Sequence, residues 1–478
     1  MRKTKIVCTL GPNSSSNETI EQLIKAGMDI ARFNFSHGSY LFYRALTEKI
    51  RIISSRLGKQ IALLQDLQGP KIRTGVMKDG SINLINRRQI TITTRLILGT
   101  SNCFSTQYSG LPNDIKLNDL ILLDDGKLIL KCLSKTNENI LCDIIHGGIL
   151  GNNKGINIPK RQLTVPNLTK KDIKDIKFGF SLGLDAIALS FVQSAKDIIN
   201  LKKELSFLNY YPLILAKVEK EQAIQNQDEI IAISDGIMIA RGDLGVEMPI
   251  EKIPSIQKEI IINTNKHGKP VIVATQMLES MIKSPIPTRA ETSDVANAVI
   301  DGADMLMLSG ETANGDFPVN AVRIMNKIIL QTENSGFDSY WKTNINILTN
   351  KKNNQQNAIS LAAVRTAEEV NCSAIVIFSA SLSIALFVSN YRPKVPIFAF
   401  VSNMKEERKV SFIWGIKSEI IESPVSIISL WMEIQARLIK NYKFKPGQSV
   451  VLLTKFPFYS DQQANILYIN TITNKLTN

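Results

Sequence analysis

Short apolar runs in the middle of this chain end abruptly in polar or charged residues. Gly236–Ala240 is followed at once by an Arg-Gly-Asp tripeptide. Leu213–Ala216 and Val271–Ala274 run in the same way into Lys217 and Thr275. A continuous apolar run of this length is typical of a strand buried on both faces. Because α/β proteins place polar chemistry at the carboxyl ends of parallel strands, the pattern predicts a functional site there.

Such runs alternate with amphipathic helical patterns along most of the chain. We expect eight strands, at Lys5–Thr9, Asp29–Asn34, Ile61–Asp66, Ala186–Phe191, Leu213–Val218, Gly236–Ala240, Val271–Thr275 and Met305–Leu308. Helical patterns follow most of them, at Asn17–Ala26, Ser194–Leu208, Ile250–Lys266, Thr292–Ile300 and Val319–Gln331. Eight β/α units in succession predict an α/β fold built on a closed (β/α)₈ barrel of the TIM type.

The interval between the third and fourth expected strands has a different pattern. From Lys71 to Val165 the apolar residues alternate in short runs separated by Gly, Asn and Asp. Four of these runs are expected strands, at Ile90–Thr94, Leu120–Leu123, Lys127–Cys132 and Ile140–Ile145. This pattern predicts an inserted all-β domain. An insertion in a βα loop lies at the active-site end of a barrel, so we expect a lid.

The last third of the chain predicts a separate α/β domain. A polar stretch after Ser335 ends in the residues NKKNNQQ and is interpreted as a linker. Beyond it we expect a helix at Ala358–Val370 and strands at Ala374–Phe378, Pro396–Val401, Val450–Thr454 and Ile466–Ile469. The expected division is therefore a barrel in two parts (1–70 and 167–345), a lid (71–166) and a C-terminal α/β domain (346–478).

Composition narrows the choice of partners only slightly. The chain has 57 basic and 43 acidic residues, a formal net charge of +14, which would suit nucleic acid or an anionic small molecule. It lacks a dense Arg/Lys run or a basic stripe interleaved with aromatic residues, and it is rich in Lys, Ile and Asn. We therefore interpret the positive charge mainly as a result of the Lys-rich composition that an AT-rich genome would produce. We expect no nucleic-acid partner.

Cysteine usage and hydropathy favour a cytoplasmic protein. The five cysteines are scattered and form no CxxC pair, as is typical of reduced thiols. Cys132, Cys142 and His146 match no known zinc spacing. The longest apolar stretch, Ala374–Val388, is too short to span a bilayer, and the N-terminal apolar run is too short for a signal peptide. We expect no membrane partner.

Five charged residues near the strand ends suit one kind of chemistry. Lys217 and Glu219 are two residues apart, so on a strand their side chains share a face, and Asp243 follows the next strand. Two carboxylates can hold a hard divalent cation such as Mg²⁺. With Arg32 and Arg73 nearby, the set suits phosphoryl transfer, although a Lys–Glu pair can also be a structural ion pair. Neither GxxxxGK[ST] nor GxGxxG occurs, which argues against a P-loop or a Rossmann site.

At this point the chain resembles the pyruvate kinase family over essentially its whole length. The matching segments, in order, are TKIVCTLGP, RFNFSHG, DLQGPKIRTG, ILLDDG, NNKGIN, AKVE, DGIMIARGDLGVE, VATQMLESMIKSPIPTRAE and DGADMLMLSGETANGDFP. The match is weakest in the C-terminal domain. The family's architecture is a (β/α)₈ barrel with an inserted β lid and a C-terminal α/β domain. The resemblance implies transfer of phosphate from phosphoenolpyruvate to ADP, which gives pyruvate and ATP, by a homotetramer.

The resemblance also implies residue roles. Glu219 and Asp243 would bind Mg²⁺ (or Mn²⁺), and Lys217 would stabilise the moving phosphoryl group. The substrate would contact Arg32, Gly242, Asp243 and Thr275, and the catalytic set would be Lys217, Arg32 and Thr275. The nucleotide would contact Asn34, Phe35, Ser36, His37, Arg73 and Lys154, the last of which lies in the lid. A pocket for a monovalent cation would be formed by Asn34, Ser36, Asp66 and Leu67.

Lys71 departs from the common family pattern. Many members have Glu at this position and require K⁺, whereas this chain reads GPKIR. A tethered ammonium can supply the missing positive charge, so we hypothesise that the enzyme works without K⁺. Leu67 replaces a family Thr that contributes only its backbone carbonyl. A surface lysine without this role is the alternative.

The region that aligns with the family's effector site has lost the residues that bind phosphate. Relatives bind an activating sugar phosphate through a turn with Ser-Gly-Arg and a later Gly-Ser-Thr-Asn loop. Here the aligned residues are Ser379–Ser383 and Tyr459–Gln463, without those glycines or the arginine. Close approach of backbone amides to phosphate favours Gly, and Arg supplies a bidentate clamp. We therefore expect weak or absent activation by a sugar phosphate or AMP.

Two other functions stay open. A barrel lyase of phosphoenolpyruvate or oxoacid chemistry would share the metal and phosphate contacts but need no nucleotide, which Arg73 and Lys154 argue against. An inactive paralogue that acts as a basic binding scaffold would not need Lys217, Glu219 and Asp243. An ADP-dependent activity assay would separate both from the main interpretation.

Overall fold

The structure, a computed structural model, describes residues 2–159, 161, 163–336, 354–378, 383–422, 424–458 and 464–473. The strands, in chain order, are β1 (Lys5–Thr9), β2 (Ile30–Asn34), β3 (Ala62–Asp66), β4 (Ser81–Leu84), β5 (Gln89–Thr93), β6 (Cys103–Ser105), β7 (Leu120–Leu123), β8 (Leu128–Lys135), β9 (Asn139–His146), β10 (Gly148–Gly151), β11 (Ile156–Asn157), β12 (Ala186–Leu189), β13 (Leu213–Val218), β14 (Gly236–Ala240), β15 (Val271–Ala274), β16 (Met305–Leu308), β17 (Ala374–Phe378), β18 (Ile397–Val401), β19 (Ile416–Ile420), β20 (Ser449–Thr454) and β21 (Ile466–Thr471).

The helices, in chain order, are α1 (Asn17–Ala26), α2 (Tyr40–Arg56), α3 (Leu111–Asp114), α4 (Lys170–Ser181), α5 (Ala195–Ser206), α6 (Glu221–Gln225), α7 (Gln227–Ile233), α8 (Arg241–Glu247), α9 (Ile253–Lys266), α10 (Arg289–Ile300), α11 (Gly310–Ala313), α12 (Pro318–Asn334), α13 (Asn354–Glu369), α14 (Ser383–Asn390), α15 (Met404–Val410) and α16 (Ile427–Tyr442). Short 3₁₀ turns lie at Pro12–Ser14, Ile250–Lys252 and Glu279–Ile282. Within the described ranges no helix is long and apolar enough to cross a membrane.

Eight parallel strands close into a barrel, in the order β1-β16-β15-β14-β13-β12-β3-β2. Successive side chains of a strand point to opposite faces, so each buried strand contributes to two cores. In β1, for example, Ile6 and Cys8 pack in the layer between strands and helices, whereas Val7 belongs to the inner cluster of the barrel. Phe412 of the C-terminal domain is fully buried in that inner cluster, so this domain packs against the barrel. The predicted (β/α)₈ barrel is confirmed.

The expected barrel strands agree with the structure to within two residues at each end. Two of them stop before their expected ends because the backbone turns left-handed there. Phe191 has φ +55° two residues beyond β12, and Thr275 has φ +67° directly after β15. A residue with positive φ cannot continue a strand.

Helix α10 begins three residues before the expected start. Thr288 forms its N-cap: the side chain of Thr288 accepts from the backbone amide of Glu291, and Glu291 accepts from that of Thr288. This reciprocal capping box satisfies two amide hydrogens that a helix start leaves without partners. The hydrophobic pattern alone did not reveal the cap.

The inserted segment forms a curled sheet with its own core. Six strands pair in the order β11-β7-β8-β9-β5-β6, and β10 pairs with β4 in a small second sheet. The four expected strands are present, and β4, β6, β10 and β11 are additional. The short helix α3 also lies here, so the lid is mainly rather than entirely β. Its buried residues cluster around Ile92, Phe104 and Leu130.

The C-terminal residues form an α/β layer with strand order β19-β18-β17-β20-β21, in which only the β20–β21 pair is antiparallel. The four expected strands are present. β19 was missed because its sequence, IKSEI, has charged and polar residues between its apolar ends. Most of the expected linker lies at 337–353, outside the described residues, and the remainder begins helix α13.

Candidate active site

The polar residues that follow the barrel strands lie together at one end of the barrel. Arg32 is in β2, Asp66 ends β3 and Lys217 is the penultimate residue of β13. Asp243 lies in α8, which begins directly after β14. Because all eight strands are parallel, their carboxyl ends meet at this end of the barrel, as expected for a site of this fold.

Asp66 lies between two cations. Its Oδ2 accepts from Nε of Arg32 at 2.7 Å, and its Oδ1 lies 3.1 Å from Nζ of Lys217. Burial works against the carboxylate, yet the charges of Lys217 and Arg32 outweigh it and lower the pKa of Asp66. Nη1 of Arg32 also donates to the hydroxyl of Thr9 at 2.8 Å. Asp66 therefore fixes the two cations relative to each other in the floor of the site.

Lys217 is held by three oxygen atoms. Besides Asp66, its Nζ lies 2.8 Å from Oε1 of Glu219 and donates to Oγ of Ser190 at 2.7 Å. Burial opposes the ammonium, but the carboxylates of Asp66 and Glu219 outweigh burial and raise the pKa of Lys217. The side chain is therefore a permanent, precisely oriented positive charge.

Glu219 and Asp243 can hold a divalent cation. Oε2 of Glu219 accepts from the backbone amide of Phe191 at 2.8 Å, which leaves its orientation fixed. Burial raises the pKa of Glu219; Lys217 opposes this rise and the nearby carboxylate of Asp243 adds to it. A divalent cation between the two carboxylates would relieve that repulsion. Among the described residues, no group of three or more His, Cys, Asp or Glu could hold a metal ion by itself.

Gly242 and Thr275 form a second group of hydrogen-bonded polar atoms in the site. The amide of Gly242 donates to Oγ1 of Thr275 at 2.8 Å, and that hydroxyl donates to the carbonyl of Ala274 at 2.6 Å. A Cβ on Gly242 would lie 3.3 Å from Oγ1 of Thr275, so a larger residue would crowd the hydroxyl. Thr275 and Gln276 both have positive φ, which is strained for a β-branched residue such as Thr. Strain of this kind is often found at functional sites.

The residues expected to bind a monovalent cation lie at or just beyond the ends of two adjacent strands. Asn34 and Asp66 are register partners of β2 and β3. Oδ1 of Asn34 accepts from the backbone amide of Ser36 at 3.2 Å. Leu67 is buried, and its carbonyl accepts from Ser190 at 2.7 Å. The four residues are thus brought together around the end of β3, but Asp66 is already paired with two cations.

Lys71, the residue that departs from the family pattern, lies near enough to His37 for its charge to lower the pKa of that imidazole. Its side chain lines a small cavity together with Asp243 and Asn157. Within the described chain, its ammonium has no hydrogen-bond or ion-pair partner. Its Cε lies 3.5 Å from the position that a Cβ on Gly155 would take.

The expected nucleotide residues divide between barrel and lid. Burial lowers the pKa of His37, and the charges of Arg73, Lys71 and Arg32 lower it further, so these cations surround the imidazole. Phe35 is a buried side chain stacked on Tyr43, with ring centroids 4.6 Å apart. Its side chain is therefore part of the core rather than available to a ligand.

The two expected lid cations contact lid atoms. Nζ of Lys154 lies 2.9 Å from Oδ1 of Asp124, and Nη1 of Arg73 donates to the carbonyl of Asn153 at 3.1 Å. In the part of the chain that the structure describes, neither pairs with a barrel side chain.

Two site residues were missed from the sequence. Ser190 binds Lys217, and Thr9 binds Arg32. Both are hydroxyl-bearing residues at the carboxyl end of a buried barrel strand, which is the signal that identified Thr275. Applied to all eight strands, it would have found them.

Comparison with known proteins identifies one family over most of the chain. The model of the pyruvate kinase barrel domain matches residues 1–322, and the model of the pyruvate kinase alpha/beta domain matches residues 357–470. The pyruvate kinase of Staphylococcus saprophyticus is 41% identical over 479 aligned residues, which cover 100% of this chain and 81% of the relative. That of Staphylococcus aureus strain MRSA252 is 39% identical over 480 residues, covering 100% and 82%.

A solved structure agrees at the level of the fold. The crystal structure of a pyruvate kinase from Cryptosporidium parvum matches with a TM-score of 0.93 and 35% sequence identity, over 98% of this chain and 96% of that one. These relatives extend across the barrel, the lid and the C-terminal domain, and they do not favour a lyase or an inactive scaffold. The chain therefore belongs to the pyruvate kinase family and is an enzyme that transfers the phosphoryl group of phosphoenolpyruvate to ADP.

Proposed function

We propose that the phosphoryl transfer takes place beside Lys217, at the carboxyl end of β13. The observation that supports this is the buried ammonium held between Asp66 and Glu219, at 3.1 and 2.8 Å. Charge on the phosphoryl oxygens has to be stabilised during transfer, and a pre-oriented cation does so without reorganisation. Arg32, fixed by Asp66 and Thr9, would bind the substrate phosphate.

The family uses a divalent metal, and we propose Mg²⁺ (or Mn²⁺) bound by Glu219 and Asp243. The cation would neutralise charge on the carboxylate and phosphate of the substrate. The amide of Gly242 and the hydroxyl of Thr275 would face the substrate carboxylate and the enolate carbon. Their mutual hydrogen bond brings the two groups together, and each would exchange its present acceptor for the substrate, since the amide hydrogen and the hydroxyl hydrogen are both already donated.

The nucleotide would bind between barrel and lid. Arg73 and Lys154 would reach its phosphates from the lid, and Asn34, Phe35, Ser36 and His37 would form the barrel side. Phe35 would contribute through its backbone, since its ring is buried. Lys154 would exchange its pairing with Asp124 for the nucleotide, which requires movement of the lid.

We propose that the enzyme does not require K⁺. The support is Lys71, whose ammonium lacks a hydrogen-bond or ion-pair partner among the described residues, and whose charge already acts on His37. A tethered ammonium replaces a bound monovalent cation at no cost in translational entropy.

We propose that assembly follows the family pattern and that regulation departs from it. We propose a cytoplasmic homotetramer, with the division into barrel (1–70, 167–345), lid (71–166) and C-terminal domain (346–478). We also propose weak or absent activation by sugar phosphate or AMP. Most of the two loops concerned, at 379–383 and 459–463, lies outside the described residues. A several-fold fall in the half-saturation concentration of phosphoenolpyruvate on addition of ribose 5-phosphate would contradict this proposal.

One assay tests the central proposals together. Formation of ATP and pyruvate from phosphoenolpyruvate and ADP is measured with Mg²⁺ in K⁺-free buffer and again with K⁺. We expect similar turnover in both buffers and none without Mg²⁺. Turnover that depends on K⁺ would reject the role of Lys71 and leave the kinase intact. If folded protein forms no ATP or pyruvate in either buffer, the inactive scaffold would instead be favoured.

A further inference from the structure

A buried ion pair connects the lid to the two metal-binding carboxylates. Oε1 of Glu247 accepts from Nζ of Lys220 at 2.9 Å and from Nδ2 of Asn157 at 3.0 Å. Glu247 and Lys220 are each only 5% exposed. One oxygen atom therefore binds a barrel cation and a lid amide at the same time.

The three residues lie on three elements that matter for the site. Lys220 directly follows Glu219 at the end of β13. Glu247 is the last residue of α8, the seven-residue helix that also contains Asp243. Asn157 is in the lid strand β11, which pairs with β7 of the lid sheet.

The hydrogen bond between Asn157 and Glu247 crosses from the lid to the barrel. Among the residues that the structure describes, no other side-chain hydrogen bond or ion pair joins the lid (71–166) to the barrel. Movement of the lid must therefore break or keep this one polar contact.

Both ends of α8 are tied down by charged groups. At its start, Arg241 pairs with Asp294 at 2.8 Å and donates to the carbonyl of Thr275 at 2.9 Å. At its end, Glu247 is held by Lys220. A helix of two turns has little stability of its own, so its orientation, and with it that of Asp243, depends on these ties.

Lys220 also lies near the ring of Phe191, a residue that binds Glu219. Its Nζ lies 6.0 Å from the ring centroid of Phe191, the residue whose amide donates to Glu219. A change in the position of Lys220 would thus reach Glu219 through the adjacent peptide and through Phe191.

We propose that Glu247 is a positioning residue that couples closure of the lid to the relative placement of the carboxylates of Glu219 and Asp243. With Asn157 bound, the Glu247 carboxylate is fixed from both sides and α8 is held in one orientation. When the lid opens, Glu247 loses its hydrogen bond to Asn157 and retains only its ion pair with Lys220. The orientation of α8 is then less restricted. Because such coupling is reciprocal, metal binding also favours the closed lid. The inference rests on the proposed metal site at Glu219 and Asp243.

Binding of Mn²⁺ to the full-length protein, measured by electron paramagnetic resonance without nucleotide or substrate, tests the coupling. We expect Asn157→Ala to raise the Mn²⁺ dissociation constant about three- to tenfold, although Asn157 belongs to the lid. Glu247→Gln keeps an acceptor for Asn157 and should retain more Mn²⁺ affinity than Glu247→Ala. Arg392→Met is the control, since it removes the cation of an equally buried pair, Arg392–Asp304 at 2.8 Å, outside the active site.

A double-mutant cycle tests whether the effect passes through Glu247. Asn157→Ala and Lys220→Met act on the same oxygen atom, so their combined effect on the Mn²⁺ dissociation constant should be smaller than the product of the single effects. Hydrogen exchange should become faster in both α8 and β11 in either single variant, and stay unchanged there in Arg392→Met.

The outcomes separate this inference from the metal site itself. If Asp243→Asn weakens Mn²⁺ binding and Asn157→Ala changes it less than twofold, the metal site stands and the coupling is overturned. Single effects that multiply would also overturn the coupling. If Asp243→Asn leaves Mn²⁺ binding unchanged, both the metal site and the coupling are rejected.

Discussion

The ammonium of Lys217 lies 3.1 Å from Oδ1 of Asp66, and both side chains are at least nine-tenths buried. The same carboxylate binds Arg32, and Glu219 also pairs with Lys217, so two cations and two carboxylates alternate in the floor of the barrel. Both cations are therefore held in place before any ligand is bound.

Replacement of this ammonium should abolish most of the activity. We expect Lys217→Met to lower kcat about 10²–10³-fold, the range found when one donor to a developing oxyanion is removed. Steady-state kinetics with saturating phosphoenolpyruvate and ADP measures the effect. Lys202→Met, on the outside of the barrel, is the control and should retain activity. A decrease below tenfold would reject the role of Lys217 in transfer.

The hydroxyl of Thr275 can be tested with two nearly isosteric variants. Thr275→Val leaves the half-buried amide of Gly242 without its acceptor, which costs at most the roughly 1–3 kcal/mol of a fully buried donor, whereas Thr275→Ser keeps the hydroxyl. We expect kcat/KM for phosphoenolpyruvate to fall about 10–100-fold in the Val variant and less than fivefold in the Ser variant. Equal losses in both variants would reject a specific role of the hydroxyl, and a loss in the Ser variant alone would assign the effect to the methyl group.

The proposed metal ligands predict a binding defect that is independent of turnover. Changing a group that merely supports a metal ligand commonly costs 10–100-fold in affinity, so Asp243→Asn should weaken Mn²⁺ binding at least about tenfold. Titration of Mn²⁺ by electron paramagnetic resonance measures this directly. Asp228→Asn is a suitable control because Asp228 lies in α7, where it accepts from Asn263. An unchanged dissociation constant in Asp243→Asn would place the metal elsewhere.

The raised pKa of Glu407 leads us to expect that the stability of the C-terminal domain depends on pH. Burial, followed by the charge of Glu419, raises its pKa from 4.5 to about 7, although Arg408 opposes the rise. Its Oε2 has no hydrogen-bond partner among the described residues. Glu407 lines a cavity of about 450 Å³ between this domain and the barrel, together with Lys5 and Lys417.

The sign of the effect follows from proton binding. Below pH 4.5 both the folded and the unfolded chain hold this proton, so Glu407 makes no difference. Between pH 4.5 and about 7 the folded protein binds more protons than the unfolded chain, so its free energy of unfolding falls as the pH rises. Denaturation midpoints between pH 5 and 8 should therefore fall in the natural chain and fall less steeply in Glu407→Gln. Identical slopes in the two proteins would show that Glu407 ionises normally.

Part of the site was readable from the sequence because its signal is local. Lys217, Glu219 and Asp243 stand directly at the ends of apolar runs, and their clustering follows from parallel strands alone. The contact of Glu247 was not readable. Glu247 lies 90 residues from Asn157, which is in the lid, so neither a local pattern nor the parallel strands of the barrel connect the partners.

The sequence by itself determined the eight barrel strands, the inserted sheet and the end of the barrel at which the polar residues gather. It did so because strand burial and side-chain alternation repeat every few residues. Only the tertiary structure decided which charges pair. Asp66 was expected in a cation pocket and in fact also binds Arg32 and Lys217, and Asn157 of the lid reaches Glu247 of the barrel. Such pairings depend on the closure of the barrel and the approach of the lid, which bring together atoms that are distant along the chain.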